Sequence, residues 1–353
     1  MKLLNLAAYP FYGMQVFSKS KSFERNPIIG SEWLNRKGLH IKRVEYAQRL
    51  SDFRRKTLGQ PLSSELKLSY ETNGFVQINN FLPKSTFESL RREVEETDFL
   101  RYDMLQGSTI TRRAVTDRAE LSFLPAMREF CFSSKFIQLM RYVAGVGGQP
   151  LISLQSVHAN PVTNVDENDP QTVLHSDTFH STSKAWLFLH DVHEDEGPFS
   201  YVPGSHRMTE PRRDWEQEIS FNYKSINNEH VRNGSLRASP ELLSELGYGQ
   251  PKKMSVPANT LVVADTHGFH ARSPSFQRTT RIEMYGSLRR NPFCPWSGGD
   301  LFSIPFIGGN YNRIMFNGLK LLENVHIASS PWVCAGKGKV DEWPVQLQEE
   351  HEV

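Results

Sequence analysis

Residues 174–206 read LHSDTFHSTSKAWLFLHDVHEDEGPFSYVPGSH. His175 and Asp177 are two positions apart, so on a β-strand both side chains leave one face and reach a single metal ion. SKAWLFLHDV and FSYVP are rich in β-branched and aromatic residues and read as strands. Glu196-Gly197-Pro198 and Pro203-Gly204-Ser205 punctuate them as turns. Far downstream, His270 offers a second imidazole from another strand. Two histidines and one carboxylate on one side of an ion leave coordination positions open, the ligand set of non-haem Fe(II) oxygenases. Arg281 adds a planar cation suited to a carboxylate partner, such as one end of 2-oxoglutarate.

Working outward, LISLQSVHA (151–159), NTLVVAD (259–265) and TRIEMYGSL (280–288) add three more short strands. Many short strands in one region predict a mainly β core within an α+β chain: a double-stranded β-helix, jelly-roll and cupin-like, flanked by helices. Before it, Gly74–Leu82 starts as a strand through Val76 and Ile78, and a helix follows Pro83 to about Thr97. That helix buries Phe87, Leu90 and Val94, with Ser85 and Glu88 as a capping box. A second helix spans about Ser134 to Val143 and ends at Gly145. Residues 206–250 are polar and helix-prone, an insertion long enough to cover a pocket as a lid. The expected organisation is a basic extension over 1–65, a catalytic domain over 66–290 and a C-terminal extension over 291–353. The last is expected to pack on the barrel, with a helix around Tyr311–Glu323.

Composition suits a soluble globular enzyme: 353 residues, 38% hydrophobic and 23% charged. The net charge of +2 conceals an asymmetry, since residues 1–60 hold 12 Lys and Arg against four acids. The remainder holds 29 basic and 35 acidic residues. Within the basic segment Tyr46, Leu50 and Phe53 share a helical face beside Arg49, Arg54, Arg55 and Lys56. It reads in two ways: a helix packed on the catalytic domain, which the short apolar stripe favours, or a peripheral contact with an anionic membrane surface. No finger spacing or stacking platform points to nucleic acid. The three cysteines, Cys131, Cys294 and Cys334, are odd in number and far apart, which fits a reducing cytoplasm. The start, MKLLNLAAYPFYGMQVF, has no clean cleavage site for a secretory signal.

The quoted stretch resembles the phytanoyl-CoA dioxygenase family: His-x-Asp, a Trp-bearing strand with Trp186, the acidic turn Asp195-Glu196-Gly197-Pro198, then Pro203-Gly204-Ser205-His206. NGFVQINNFLPKSTFESLRREVEE (73–96) is similar to the family's opening strand and helix. ANTLVVADTHGFHARSPSFQRTTRIEMYG (258–286) is similar to the segment carrying its distal histidine and its 2-oxoglutarate arginine. The eleven-position spacing of those two is met by His270 and Arg281. The resemblance covers roughly residues 70–288. It implies His175, Asp177 and His270 as the ligands of Fe(II), Arg281 holding the far carboxylate of 2-oxoglutarate, and Trp186 beside that co-substrate. It also implies consumption of O2 with release of succinate and CO2. Two departures, Ser176 for the family's frequent Gln and Ala271-Arg272-Ser273-Pro274 after the distal histidine, leave fine specificity outside the resemblance. Related halogenases carry a small residue where Asp177 stands, so the carboxylate favours hydroxylation or desaturation over halogenation.

Alternatives stay open in the sequence. His267 competes with His270, which the spacing to Arg281 favours, and Arg278 competes with Arg281, which strand register favours. His158 reads equally as a pocket residue or a buried histidine, and Phe179 or His180 as neighbours of the substrate. His206 reads as a turn residue. The expected function is hydroxylation of an unactivated C–H bond of a small-molecule, lipid or sugar-conjugate substrate. Its alternatives are a cupin-type metal-dependent isomerase or epimerase, and a non-catalytic small-molecule binding protein of the same fold.

Overall fold

The structure is a computed structural model that describes residues 8–162, 169–294, 301–327 and 329–347. The first seven residues of the apolar start and the acidic end from residue 348 lie outside the described residues. In chain order the strands are β1 (Phe75–Ile78), β2 (Phe99–Gln106), β3 (Thr109–Ala114), β4 (Leu151–Ala159), β5 (Ser183–Phe188) and β6 (Phe199–Tyr201). These are followed by β7 (Lys252–Lys253), β8 (Leu261–Asp265), β9 (His270–Arg272), β10 (Thr279–Leu288) and β11 (Val333–Gly338). They form a large sheet ordered β1-β8-β5-β10-β4-β3-β2-β11 and a small one ordered β7-β6-β9. All pairings are antiparallel, and His175 extends the small sheet through a bridge to His270. From β4 onward the chain passes repeatedly between the two sheets, which is the winding of a double-stranded β-helix.

Side-chain alternation assigns the faces. On β10, Ile282, Met284 and Leu288 join the core formed with the helices Lys84–Glu96, Pro125–Cys131 and Ser134–Ala144. Tyr285 faces the other way, into a second core shared with Trp186, Phe188, Phe199 and Tyr201 between the sheets. The expected helices appear as Lys84–Glu96, Ser134–Ala144 and Tyr311–Asn324, and Phe87, Leu90 and Val94 are buried. The capping box at Ser85 and Glu88 does not form: Pro83 is the N-cap and no side chain caps the helix. Sequence reading also passes over β2, β3 and β11. The inward positions of β2 and β3 carry Arg101, Asp103 and Arg112, and the Arg112–Asp103 pair, with two contacts of 2.8 Å, hides the apolar alternation. Thus the C-terminal extension supplies an edge strand, β11, to the large sheet.

Residues 8–60 pack on this core. The helix Leu39–Leu58 buries His40, Ile41, Arg43, Val44, Ala47 and Ser51, while Tyr46 and Phe53 are exposed. The buried face therefore differs from the one the apolar stripe suggests. Its arginines explain the difference, because backbone carbonyls satisfy them in place: Arg43 reaches Val16, Ser18 and Ser20; Arg55 reaches Tyr142 and Val143. Among the described residues no helix is long and apolar enough to cross a membrane.

Gly74 shows how tightly the strand entry is set. It closes the helix Ser64–Asn73 at φ +82°, and a Cβ there would lie 2.5 Å from Tyr201 Oη and 2.6 Å from His206 Nδ1. Gly74→Ala is expected to cost about 2 kcal/mol or more, combining backbone strain with overpacking. A denaturant midpoint equal to that of the parent chain would refute this.

Candidate active site

The bridge between His175 and His270 is the seed of the site. Each donates its backbone N–H to the other's carbonyl, at 2.9 and 3.0 Å, which sets the rings with centroids 4.4 Å apart. Both rings donate Nδ1–H to the carbonyl two residues earlier, His175 to Val173 at 2.8 Å and His270 to Gly268 at 2.9 Å. Those bonds fix the tautomer and leave Nε2 as a bare lone pair on each ring. Asp177 completes the group: its Oδ1 lies 3.7 Å from His175 Nε2 and its Oδ2 3.8 Å from His270 Nε2. The three ligand atoms lie within 4.8 Å of one another, and His270 Nε2 is buried with no hydrogen-bond partner. Asp177 is carried by an extended segment rather than a strand, because its neighbours divide. Ser176 N–H pairs with Leu236 and Asp177 N–H with Thr266, so no continuous ladder runs through it.

Electrostatics favour ligation. Burial pushes the His175 imidazole well below its ordinary range, and the neighbouring His270 adds to this. His270 is lowered to about 4, chiefly by burial. Burial alone would raise the Asp177 carboxyl, yet Lys184 and the two imidazoles hold it well below the usual range. Lys184 Nζ sits 2.7 Å from Asp177 Oδ2, and Lys21 Nζ donates to the Asp177 carbonyl at 2.6 Å. The triad is therefore two neutral imidazoles and an ionised carboxylate at neutral pH, the protonation state a divalent cation needs.

A buried framework holds the loop between β8 and β9. Asp265 accepts from the Thr182 and His267 N–H groups at 3.1 Å and from Tyr70 Oη–H at 3.0 Å. Arg212, fully buried, donates to the carbonyls of Ser205 and His267. Its Nε contacts Glu216 at 2.8 Å, and Glu216 contacts His40 Nε2 at 2.8 Å. The insertion over 206–250 thus forms a packed wall tied to the N-terminal helix, and its Arg237 forms a bridge opposite His175.

The competing residues separate cleanly. His267 turns Nδ1 to the Thr178 carbonyl at 2.9 Å, and His270 is the one that joins the triad. Arg278 stacks on Trp343, 3.8 Å from the ring centroid. His158 also lies against Trp343, on the face of β4 covered by the C-terminal segment, and does not line the site. His206 is buried beside Tyr70, away from the triad. Trp186 belongs to the core between the sheets, 4.2 Å from Phe199, whose ring lies 5.9 Å from His270.

Arg281 already has an internal anion. Its Nε donates to Glu283 at 2.9 Å and its Nη1 to the Gly197 carbonyl, while Gln155 donates to the other Glu283 oxygen at 2.7 Å. Nη2 has no hydrogen-bond partner among the described residues. Sequence reading missed Glu283, although period-two alternation places it on the face of β10 that carries Arg281. It missed Lys184 too, a charged residue on the inward face of β5 with Trp186.

A family model described as phytanoyl-CoA dioxygenase matches residues 70–239. No curated protein matches the chain. Among solved structures, the epimerase SnoN in complex with Fe3+, alpha ketoglutarate and nogalamycin RO is 17% identical, with TM-score 0.39, covering 63% of this chain and 81% of its own. HygX from Streptomyces hygroscopicus with nickel and 2-oxoglutarate bound is 16% identical, with TM-score 0.42, covering 65% and 91%. The carbocyclase SnoK is 18% identical, with TM-score 0.38, covering 64% and 83%.

Proposed function

We propose, from the match of residues 70–239 to the phytanoyl-CoA dioxygenase family model, that this chain is an iron(II)- and 2-oxoglutarate-dependent oxygenase that hydroxylates an unactivated C–H bond. One observation carries the reading: two Nε2 lone pairs and one ionised carboxylate converge, with His270 Nε2 buried and unpartnered. A buried acceptor without a donor is costly unless a cation or proton donor meets it. The donor set, two imidazoles and a carboxylate, fits a ferrous ion.

When bound, iron with 2-oxoglutarate and O2 supplies oxidative decarboxylation to succinate and CO2, coupled to oxidation of the substrate. The chain's own residues do the placing. His175, Asp177 and His270 hold the ion, and Lys184 grips the carboxylate that must not swing away. Arg281 offers Nη2 to the far carboxylate of the co-substrate, with Glu283 and the Gly197 carbonyl fixing the guanidinium plane. Trp186 and Phe199 form an apolar floor that keeps water out. The substrate class is a small molecule or a lipid or sugar conjugate.

Anaerobic addition of Fe(II) and 2-oxoglutarate to the protein should give a visible charge-transfer band. Its absence at saturating concentrations would overturn the reading. Arg281→Lys keeps the charge beside Glu283 but loses the fork. It is expected to raise the 2-oxoglutarate concentration needed for half-maximal band intensity by about tenfold, with Fe(II) affinity unchanged. An equal loss of both would place Arg281 in a structural role instead.

A further inference from the structure

Four side-chain cations, Lys21, Lys184, Arg237 and Arg289, lie around Asp177, the carboxylate whose charge acts on every one of them. Lys184 and Lys21 touch it directly, through its carboxylate and its carbonyl. Arg237 stands opposite His175 across a β-bridge and donates to the carbonyls of Pro170 and Val173. Arg289 continues the inward parity of β10, from Tyr285 and Ser287, just past the pair Ser287–Lys184. It is exposed and has no hydrogen-bond or ion-pair partner among the described residues. Arg289 also lies close enough to Lys21 and Lys184 for like-charge repulsion to act on both.

The charge count decides what this cluster serves. Four cations against one carboxylate leave a surplus of three positive charges around the triad. The ferrous ion and the 2-oxoglutarate dianion of the proposed function cancel each other, and Arg281 is matched by Glu283. The surplus is therefore left for another ligand. Like charges held together, partly out of water, destabilise the fold unless an anion joins them. The cluster opens to solvent, since the Lys184 and Asp177 side chains are 24% and 21% exposed. Beside Arg289 lies His180, whose buried Nε2 has no partner and whose Nδ1–H donates to the Ser181 carbonyl. That tautomer makes Nε2 an acceptor for a hydroxyl group.

We propose that Lys21, Arg237 and Arg289, with Lys184 behind them, form the binding site for a phosphate group on the substrate, and that the basic N-terminal segment supplies one wall of it through Lys21. A phosphate monoester matches a surplus of this size better than a carboxylate does, and guanidiniums present it with paired donors. The word substrate rests on the oxygenase reading; the anion site itself does not.

Calorimetric titration of the full-length protein with methyl phosphate tests this directly. Saturable one-to-one binding is expected, weaker for acetate, and weakened at least tenfold by Arg289→Gln and by Arg237→Gln. Arg289 is exposed, so its variant should fold normally, and Lys21→Gln gives an independent second reading. Absence of saturable binding, or binding unchanged in these variants, overturns the proposal. Methyl phosphate that bleaches the Fe(II)–2-oxoglutarate band would also overturn it, by assigning the cations to the co-substrate. If the band never forms while methyl phosphate binding still depends on the arginines, the oxygenase reading falls and the anion site stands. Vesicles containing phosphatidic acid distinguish the source. Arg289-dependent vesicle binding places the phosphate on a lipid, and binding of methyl phosphate alone places it on a soluble substrate.

Discussion

Asp177→Ala is expected to abolish 2-oxoglutarate-dependent succinate release, with turnover falling on the order of a thousandfold or more, a barrier increase of about 4 kcal/mol. The carboxylate is the only anionic member of the triad, so its loss leaves two neutral imidazoles to hold a doubly charged ion. Fe(II) affinity should fall with activity, measured by the charge-transfer band at fixed 2-oxoglutarate. Asp177→Asn separates charge from shape: it keeps an oxygen near both rings but removes the ion pair with Lys184. Both variants should keep their far-UV circular dichroism, because Asp177 is partly exposed and no packed core depends on it. A chain that merely binds a small molecule would keep its ligand affinity in the alanine variant. That result would end the oxygenase reading.

Glu216→Ala should be the most destabilising single change outside the triad. Glu216 is 1% exposed and stands between Arg212, fully buried, and His40. Removing one partner of a buried ion pair leaves the other charged and unpaired, at a cost of about 3–5 kcal/mol. The melting temperature is expected to drop by roughly 10 °C. The loss should reach the site, since Arg212 also holds the carbonyl of His267, three residues before the distal ligand. Burial alone would raise the Glu216 carboxyl, but Arg212 and His40 bring it down to about 2. Its folded-state value is thus depressed below that of an unfolded glutamate, about 4.3. The stabilisation is complete above that value and is lost as pH falls from there through about 2. Glu216→Gln should accordingly flatten the acid limb of the stability curve between those values. An unchanged acid limb would show that Glu216 is not ionised in the fold.

The candidate triad was legible in the sequence because it rests on residue types at fixed spacings. His175 and Asp177 two apart, His270 downstream and Arg281 eleven further on are local facts, and the strands that carry them alternate strongly enough to be read. The resemblance set Trp186 beside the co-substrate; in the fold it packs in the core between the sheets against Phe199, whose ring lies 5.9 Å from His270. The tertiary structure alone decided which residues stand around the triad. Lys21 lies 156 positions from Asp177 and meets it where Arg43 of the helix Leu39–Leu58 holds the carbonyls of Val16, Ser18 and Ser20. Arg237 and Arg289 arrive from an insertion and a strand end with no sequence signal linking them. The same holds for β2 and β3, whose buried Arg112–Asp103 pair breaks the apolar pattern, and for β11, a largely exposed edge strand. Periodicity records what a residue does to its own strand or helix. Long-range charge contacts depend on where distant segments of chain come to rest, and no local spacing encodes that.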